Sequence, residues 1–310
     1  MNCPQNFIGI AVLTLALLAP QPPKHSHNST ERASVGSSPA VLWRQPNDIR
    51  TRDLFVGPGG IQHAPKGPLM FYKENHHGTQ PKFYVHDSNN VRWGVKLGPE
   101  ARAEVTATHL LWALGYCADE EYFVTEMPLA GVPDYDLDRA VPTNGKISHA
   151  RMKRDIPHRH RIGYWQWENN PFTGTRELNG LKVIMELMNN TDFKQNHLVI
   201  YDMGGKEQHY MVKDLGASFG RAGGGYFSRN KGVLSDYLRY DLIRNADHDY
   251  VDFWYFKHIP RAHAKWAGQL AGQLSDKQIS DAFRAGGFKP EEVDAFTRKL
   301  QEKINELKRL

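Results

Sequence analysis

The stretch MNNTDFKQNHLVIYDMGGKEQHYMVKDLGASFG, residues 188–220, constrains this chain more than any other. Two short runs, LVIYD at 198–202 and HYMVK at 209–213, are apolar, β-branched or aromatic, and Gly204-Gly205 stands between them. A Gly pair tolerates the positive φ angles of a tight connection, so the pattern predicts an antiparallel hairpin. The hairpin carries the loop with Asp192, Lys194 and Asn196 to the same end of a small sheet as Asp214-Leu215-Gly216. Two carboxylates, an amide and a lysine around one point suit Mg²⁺ with phosphate oxygens, because hard oxygen donors hold the ion while a free carboxylate orients a hydroxyl nucleophile. The competing expectation is a surface hairpin with ordinary polar ends.

A chain of 310 residues, 40% hydrophobic and 24% charged, can bury one large core or two modest lobes. The formal charge of +5 tilts its partners towards anions such as phosphates, acidic polymers or membrane headgroups, and is too small for its length to argue for specific nucleic-acid binding. Cys3 and Cys117 supply no disulfide framework and have no zinc-ligand spacing around them. The uncharged run FIGIAVLTLALLA at 7–19 has signal-peptide length and predicts export to the periplasm or outside the cell, with 1–22 a cleaved leader or a short retained anchor. Membrane association follows only if that segment is retained. Residues 23–40, rich in Pro, Ser, His and Asn, are expected to be a disordered linker.

Two alternating runs around Ser88-Asn89-Asn90 predict a second hairpin over 78–97, with Lys96 ending its second strand. A helix over 100–114 follows, closed by Gly115, with Ala107, Leu110, Leu111 and Leu114 in one stripe and Glu104 able to point at the strand of Lys96. Residues 122–126 read as a strand. The run KISHARMKRDIPHRHR at 146–161 is expected as a solvated insertion, or as a docking patch for an acidic partner. Thr175 caps a predicted helix that delivers the chain to Asn190. Gly223–225 is read as a mobile loop, 251–259 and 262–274 as helices, and the remainder to residue 310 as two more, with Ser275 and Pro290 at their starts.

The order of these parts resembles the two-lobed protein-kinase-like fold, in particular the atypical branch of HipA-type and phosphoinositide kinases. Gly78-Thr79-Gln80-Pro81-Lys82 is similar to the G-x-Q-x-K phosphate loop of HipA-type kinases, Lys96 to the nucleotide-phosphate lysine and Glu104 to the helix glutamate that holds it. Asn190-Thr191-Asp192 with Lys194 resembles the catalytic loop, and Asp214-Leu215-Gly216 the metal-binding D-x-G. The GYWQW and NPFTGTRE stretches resemble those of a family of exported bacterial proteins. The resemblance implies an α+β fold with a small β-rich N-lobe (41–126) and a larger, mostly helical C-lobe (127–310). It implies an Mg-ATP-dependent phosphotransferase with Asp192 and Lys194 catalytic, Gly78, Gln80, Lys82, Lys96 and Glu104 on the nucleotide, and Asn196 and Asp214 on the metal. The acceptor stays open, an acidic one among the options. One departure matters: the family places its metal-binding Asn five residues after the catalytic Asp, where this chain has His197, with Asn196 one residue early. Two alternatives therefore stand beside the enzyme: a kinase-fold protein that binds nucleotide or a partner with little or no turnover, and an exported structural or surface-binding protein.

Overall fold

The computed structural model describes residues 38–76, 80–133, 141–190, 192–221 and 231–310. The expected leader, most of the expected linker, Gly78 and Thr79 of the phosphate loop, Thr191 and the Gly223–225 segment lie outside the described residues.

After β1 (Ala40–Val41), alternating apolar residues build β2 (Leu69–Glu74), β3 (Lys82–His86) and β4 (Arg92–Lys96), with the predicted turn between β3 and β4. Asp87 fixes that turn by accepting from the backbone N–H groups of Asn89 and Val91 and from Trp93 Nε1. Helix α1 (Glu100–Ala113) ends one residue before the predicted limit, and Gly115 follows at φ +90°. The strand expected at 122–126 is longer, β5 (Glu121–Ala130), and next to it lies β6 (Lys146–Arg154). Strands β2 to β6 close into a barrel in the order β2-β3-β4-β6-β5, which leaves the five strands no open edge.

Strand β6 corrects the expectation of a solvated insertion or docking patch over 146–161. It pairs with both β4 and β5, and Ile147, Ala150 and Met152 are buried in the barrel core beside Phe83, Val85, Trp93 and Val95. The basic residues drew attention in the sequence, but the apolar residues between them dictate the strand. The barrel lobe therefore extends to Arg154, past the boundary expected at 126.

Beyond the barrel, β7 (Arg159–Tyr164) and the predicted hairpin, β8 (Leu198–Met203) and β9 (Gln208–Val212), form a four-stranded sheet in the order β1-β9-β8-β7. Between β7 and β8 runs α2 (Arg176–Leu187), whose first turn is capped by Thr175 Oγ1 accepting from Leu178 N at 3.2 Å. After α3 (Leu234–Tyr237), the helix expected over 251–259 is absent. Residues in that region form β10 (Asn245–Ala246), β11 (Tyr250–Asp252) and β12 (Ile259–Pro260) instead. Pro260 disfavours helix in the residue before it, and the backbone N–H groups of Tyr255 and Phe256 donate to the buried Glu186 carboxylate at 2.5 and 2.8 Å. Helices α4 (Arg261–Ala271), α5 (Asp276–Ala285) and α6 (Pro290–Arg309) complete the lobe, with Ser275 in a capping box and Pro290 at the first position of α6. The fold class is α+β, with a small barrel lobe and a larger, mostly helical one.

Helix α1 lies between the lobes and is buried on nearly every side. Ala103, Ala107, Leu110, Leu111 and Leu114 join the core of the helical lobe, while Thr108 reaches β5 by donating to Glu121 at 2.9 Å. Among the described residues no helix is long and apolar enough to cross a membrane.

Gly180 on α2 shows how tightly this lobe is packed. A Cβ there would lie 2.4 Å from Trp266 and 2.8 Å from the Tyr116 hydroxyl, and Trp266 is backed by Trp43 at 5.5 Å between ring centroids. Alanine gains about 1 kcal/mol of helix propensity over glycine, whereas forcing a ring out of a packed site costs about 1–3 kcal/mol. Gly180→Ala is therefore expected to destabilise the protein by about 1 kcal/mol net. Urea unfolding checks this: a raised midpoint would mean that the Trp266 ring yields freely.

Candidate active site

Lys96, the last residue of β4, is fully buried and carries its ammonium into a cluster of three carboxylates. Its Nζ lies 2.6 Å from Glu104 Oε2, donates to Glu100 Oε2 at 3.1 Å, and pairs with Asp214 Oδ1. Glu100 and Glu104 stand one turn apart on α1, so the helix lays both acids along one face. Burial pulls the pKa of Lys96 down, but Glu104 and Asp214 outweigh it and hold the ammonium above the ordinary lysine range. Glu104 is held on its other side by Arg151 Nη2 at 3.1 Å, and Arg151 Nε lies 3.6 Å from Glu121. Burial works to protonate Glu104; Arg151 and Lys96 overcome it and keep the carboxyl below its usual range. Arg151 belongs to the run first read as an exposed insertion, and its side chain is almost wholly buried.

The hairpin brings its two ends together as the sequence predicts, and a set of hydrogen bonds locks them. Phe219 N donates to Met188 O at 2.7 Å, Asn189 Nδ2 to Gly220 O at 3.1 Å, and Asn190 Nδ2 to Ser218 Oγ at 2.9 Å. Behind this lock the buried Lys303 of α6 donates to Asn189 Oδ1 at 2.8 Å and stands 4.0 Å from the centroid of the Tyr237 ring. Asp214 itself has φ +56° and ψ +51°, the left-handed region that few non-glycine residues adopt. Such a residue persists where its surroundings over-determine it, and here Lys96 holds its carboxylate. Gly216 cannot carry a side chain, because a Cβ would lie 2.6 Å from Glu100 Cβ.

His197 stands between the two acids. Its Nε2 is 3.4 Å from Asp214 Oδ2, and its Nδ1 is 3.6 Å from Asp192 Oδ1, buried and without a hydrogen bond. Lys194 is largely exposed and donates to Asp192 Oδ2 at 3.0 Å. Lys82 Nζ lies 3.8 Å from Asp214 Oδ2. Burial opposes ionisation of Asp214, yet Lys96 and Lys82 hold its carboxyl well below the usual range.

A cavity of about 690 Å³ opens onto these groups. Gln80, Lys82, Glu104, Asp192, Lys194, Asn196 and Asp214, all predicted from the sequence, line it, and the buried Lys96 pairs with two of them, Glu104 and Asp214. Gly78 lies outside the described residues. The sequence reading missed Glu100, Arg151, Lys153, Lys213 and Lys231 as lining residues, while His197, which it placed where the family has its metal-binding Asn, lines the cavity as well. Glu100 was findable, since it sits one turn before Glu104 on the same predicted helix face. The two basic residues of β6 were hidden by the reading of their segment as a loop. Further in, Lys213 Nζ donates to the Tyr201 hydroxyl at 2.7 Å, and Asp119 is held by Arg159 at 2.6 Å with Lys153 at 3.6 Å.

Asp214 and Asn196, a carboxylate and an amide, both line the cavity. Among the described residues no set of three or more His, Cys, Asp or Glu side chains could hold a metal ion. Two protein oxygens, with phosphate oxygens and water completing the shell, are what Mg²⁺ ordinarily accepts, so the residues present fit that ion.

No protein-family model matches the sequence, and no curated protein matches it. Solved structures with similar shapes include a Helicobacter pylori proinflammatory kinase, CtkA, at 15% identity over 79% of this chain and 95% of that one, with a TM-score of 0.45. The Golgi casein kinase is similar at 12% identity over 84% of this chain and 73% of that one, with a TM-score of 0.40. Its form with Mn/ADP bound gives 12% identity, 84% and 74% coverage, and a TM-score of 0.42.

The hairpin lock carries a pH signature. Burial, with the Lys299 charge beside it, pulls Lys303 from 10.5 down to about 7. Below that value the lysine is charged in both folded and unfolded chains and its burial cost is fully present. As pH rises from 7 towards 10.5 only the unfolded chain stays protonated, so that cost is relieved and stability rises. Compared with Lys303→Met, the wild type is expected to gain up to about 1.4 kcal/mol per pH unit between pH 7 and 9. Urea titrations of both proteins at several pH values check the slope; parallel curves would place the lysine at its ordinary pKa.

Proposed function

We propose that this chain is a metal- and nucleotide-dependent phosphotransferase of the kinase type. The observation that carries the reading is the convergence on Lys96 of acids from α1 and from the hairpin, beside a cavity with a second carboxylate, Asp192, on its wall. Lys96 and Lys82 would bind the phosphates of the donor, with Gln80 at the cavity edge. A divalent ion on Asp214 and Asn196 would neutralise charge on the transferring phosphoryl group. Asp192 accepts the proton of the acceptor hydroxyl as the new O–P bond forms and the bond to the departing nucleoside diphosphate breaks. Lys194, 3.0 Å from Asp192, would hold that carboxylate turned towards the acceptor. Catalysis would then be positioning and charge neutralisation rather than covalent chemistry. The apolar run at 7–19 supports export as the setting in which it acts.

A second reading, nucleotide binding with little turnover, is favoured by one observation. His197 occupies the space between Asp192 and Asp214, where an imidazole is a poor partner for Mg²⁺. The two readings part at His197→Asn, which restores an amide at that position and should raise transfer only if the imidazole is what limits it.

The first test is thermal unfolding of the full chain with and without Mg²⁺-nucleotide. A ligand at a hundredfold excess over its Kd adds about 2.7 kcal/mol to the folded state. The stabilisation should vanish in Asp214→Ala and in Lys96→Met. Lys96→Met should also lose about 3 kcal/mol of intrinsic stability, because it leaves buried carboxylates without their cation. A wild type indifferent to every nucleotide, with Mg²⁺ or Mn²⁺, would remove both readings.

A further inference from the structure

Glu186 is a buried carboxylate that the proposed reaction does not use. It is the next-to-last residue of α2, and it binds in two directions. Its backbone carbonyl accepts from Asn189 N at 2.9 Å, while its Oε1 accepts from the N–H groups of Tyr255 and Phe256 at 2.5 and 2.8 Å. One residue thus ties the end of α2 to the turn between β11 and β12, which Phe253 N closes by donating to Phe256 O at 3.0 Å. The rings on that turn meet Phe193. Its centroid lies 4.7 Å from Tyr255, 4.8 Å from Phe256 and 6.1 Å from Trp167, and Trp167 backs Phe256 at 5.0 Å. These are distances at which tilted and edge-on rings attract one another.

Phe193 follows Asp192 directly and is the only apolar residue between Met188 and Leu198. Beside it Lys194, Gln195 and Asn196 are exposed. The backbone here is held by Asp192 N donating to Asn190 Oδ1 at 3.0 Å and by His197 N donating to Lys194 O at 2.9 Å. Lys194 is largely exposed, so its ion pair turns the Asp192 carboxylate without fixing the backbone beneath it. Phe193 supplies the missing anchor, because a ring held among three others fixes its own Cα and, one peptide unit away, that of Asp192. A general base works only within hydrogen-bond reach of the proton it takes, so a small displacement of this segment is costly.

We propose that Phe193 is a positioning residue for Asp192, and that Glu186 acts through the Tyr255–Phe256 turn to hold the aromatic pocket in which the Phe193 ring sits. This rests on the phosphotransferase reading, with Asp192 as the base, and deepens it. Neither Phe193 nor Glu186 lines the cavity, so both act through Asp192 and not on a bound molecule.

The test uses the full chain with Mg²⁺ and ATP or GTP, whichever stabilises it more, and reads hydrolysis as released phosphate, with water standing in for the acceptor hydroxyl. Phe193→Ala should lower kcat about a hundredfold and leave the nucleotide Kd within about twofold. In an Asp192→Ala background the same substitution should cost nothing further, since no base is left to place. Glu186→Leu should reproduce the loss of kcat. Glu186→Gln, which keeps an oxygen for the two N–H groups, should recover most of it. Amide hydrogen exchange over 192–197 should quicken at least about tenfold in Phe193→Ala while β8 and β9 stay protected. Phe193 is only half-buried, so its variant carries the test even where Glu186→Leu does not fold. A Phe193→Ala protein that hydrolyses at the wild-type rate, leaves exchange over 192–197 unchanged, or loses rate equally with and without Asp192 overturns the positioning role and leaves the phosphotransferase reading standing. A wild type that no nucleotide stabilises, or that binds nucleotide and releases no phosphate, removes that reading, and the positioning role falls with it.

Discussion

A fully buried lysine at the end of β4 is the constraint on which the rest of this structure depends. Taking an ammonium out of water costs several kcal/mol unless opposite charge meets it at close range. Lys96 is met from two directions, by Glu100 and Glu104 on α1 and by Asp214 after β9. The barrel, the central helix and the hairpin thus cannot shift independently without exposing or stranding a charge. The arrangement is then propagated sideways: Glu104 needs Arg151 as well as Lys96, and Arg151 reaches on to Glu121. Replacing one member should therefore cost more than a pairwise contact, since each removal leaves a buried group unpaired.

The same chain of charges explains why α1 is buried on almost every side. Its apolar residues complete the core of the helical lobe, and its acids and Thr108 are committed to the barrel. A helix so enclosed is a fixed strut between lobes. The hairpin end is fixed by other means: the αL conformation of Asp214, the glycine after Leu215 that lets α1 approach, and amide bonds from Asn189 and Asn190 across to residues 218–220. The acids that face the cavity are held by rigid elements, as a site must be if its geometry is to outlast thermal motion.

Much of the candidate site was legible before the structure. Gly204-Gly205 and the flanking β-branched residues gave the hairpin, and the hairpin gave the meeting of Asp192 with Asp214. Lys96 and Glu104 were legible because a strand end and a helix face are both local features. What misled was composition read without period. The basic residues of 146–154 suggested a solvated segment, yet Ile147, Ala150 and Met152 bury that segment in the barrel. The aromatic residues of 251–259 suggested a helix, although the backbone there is claimed by the carboxylate of Glu186, far away in sequence.

Sequence by itself determined the local pieces: the two hairpins, the capped helices at Thr175, Ser275 and Pro290, and the residue types that gather around the cavity. Those follow from φ preferences, capping chemistry and apolar period, all of which act within a few residues. Only the tertiary structure decided which charges are buried together. Arg151 against Glu104, His197 between two aspartates, and Lys153 beside Asp119 with Lys213 near Tyr201 are pairings between segments remote in sequence. No local preference encodes such a pairing; it is fixed when strands close a barrel in one register and a helix is pressed against it.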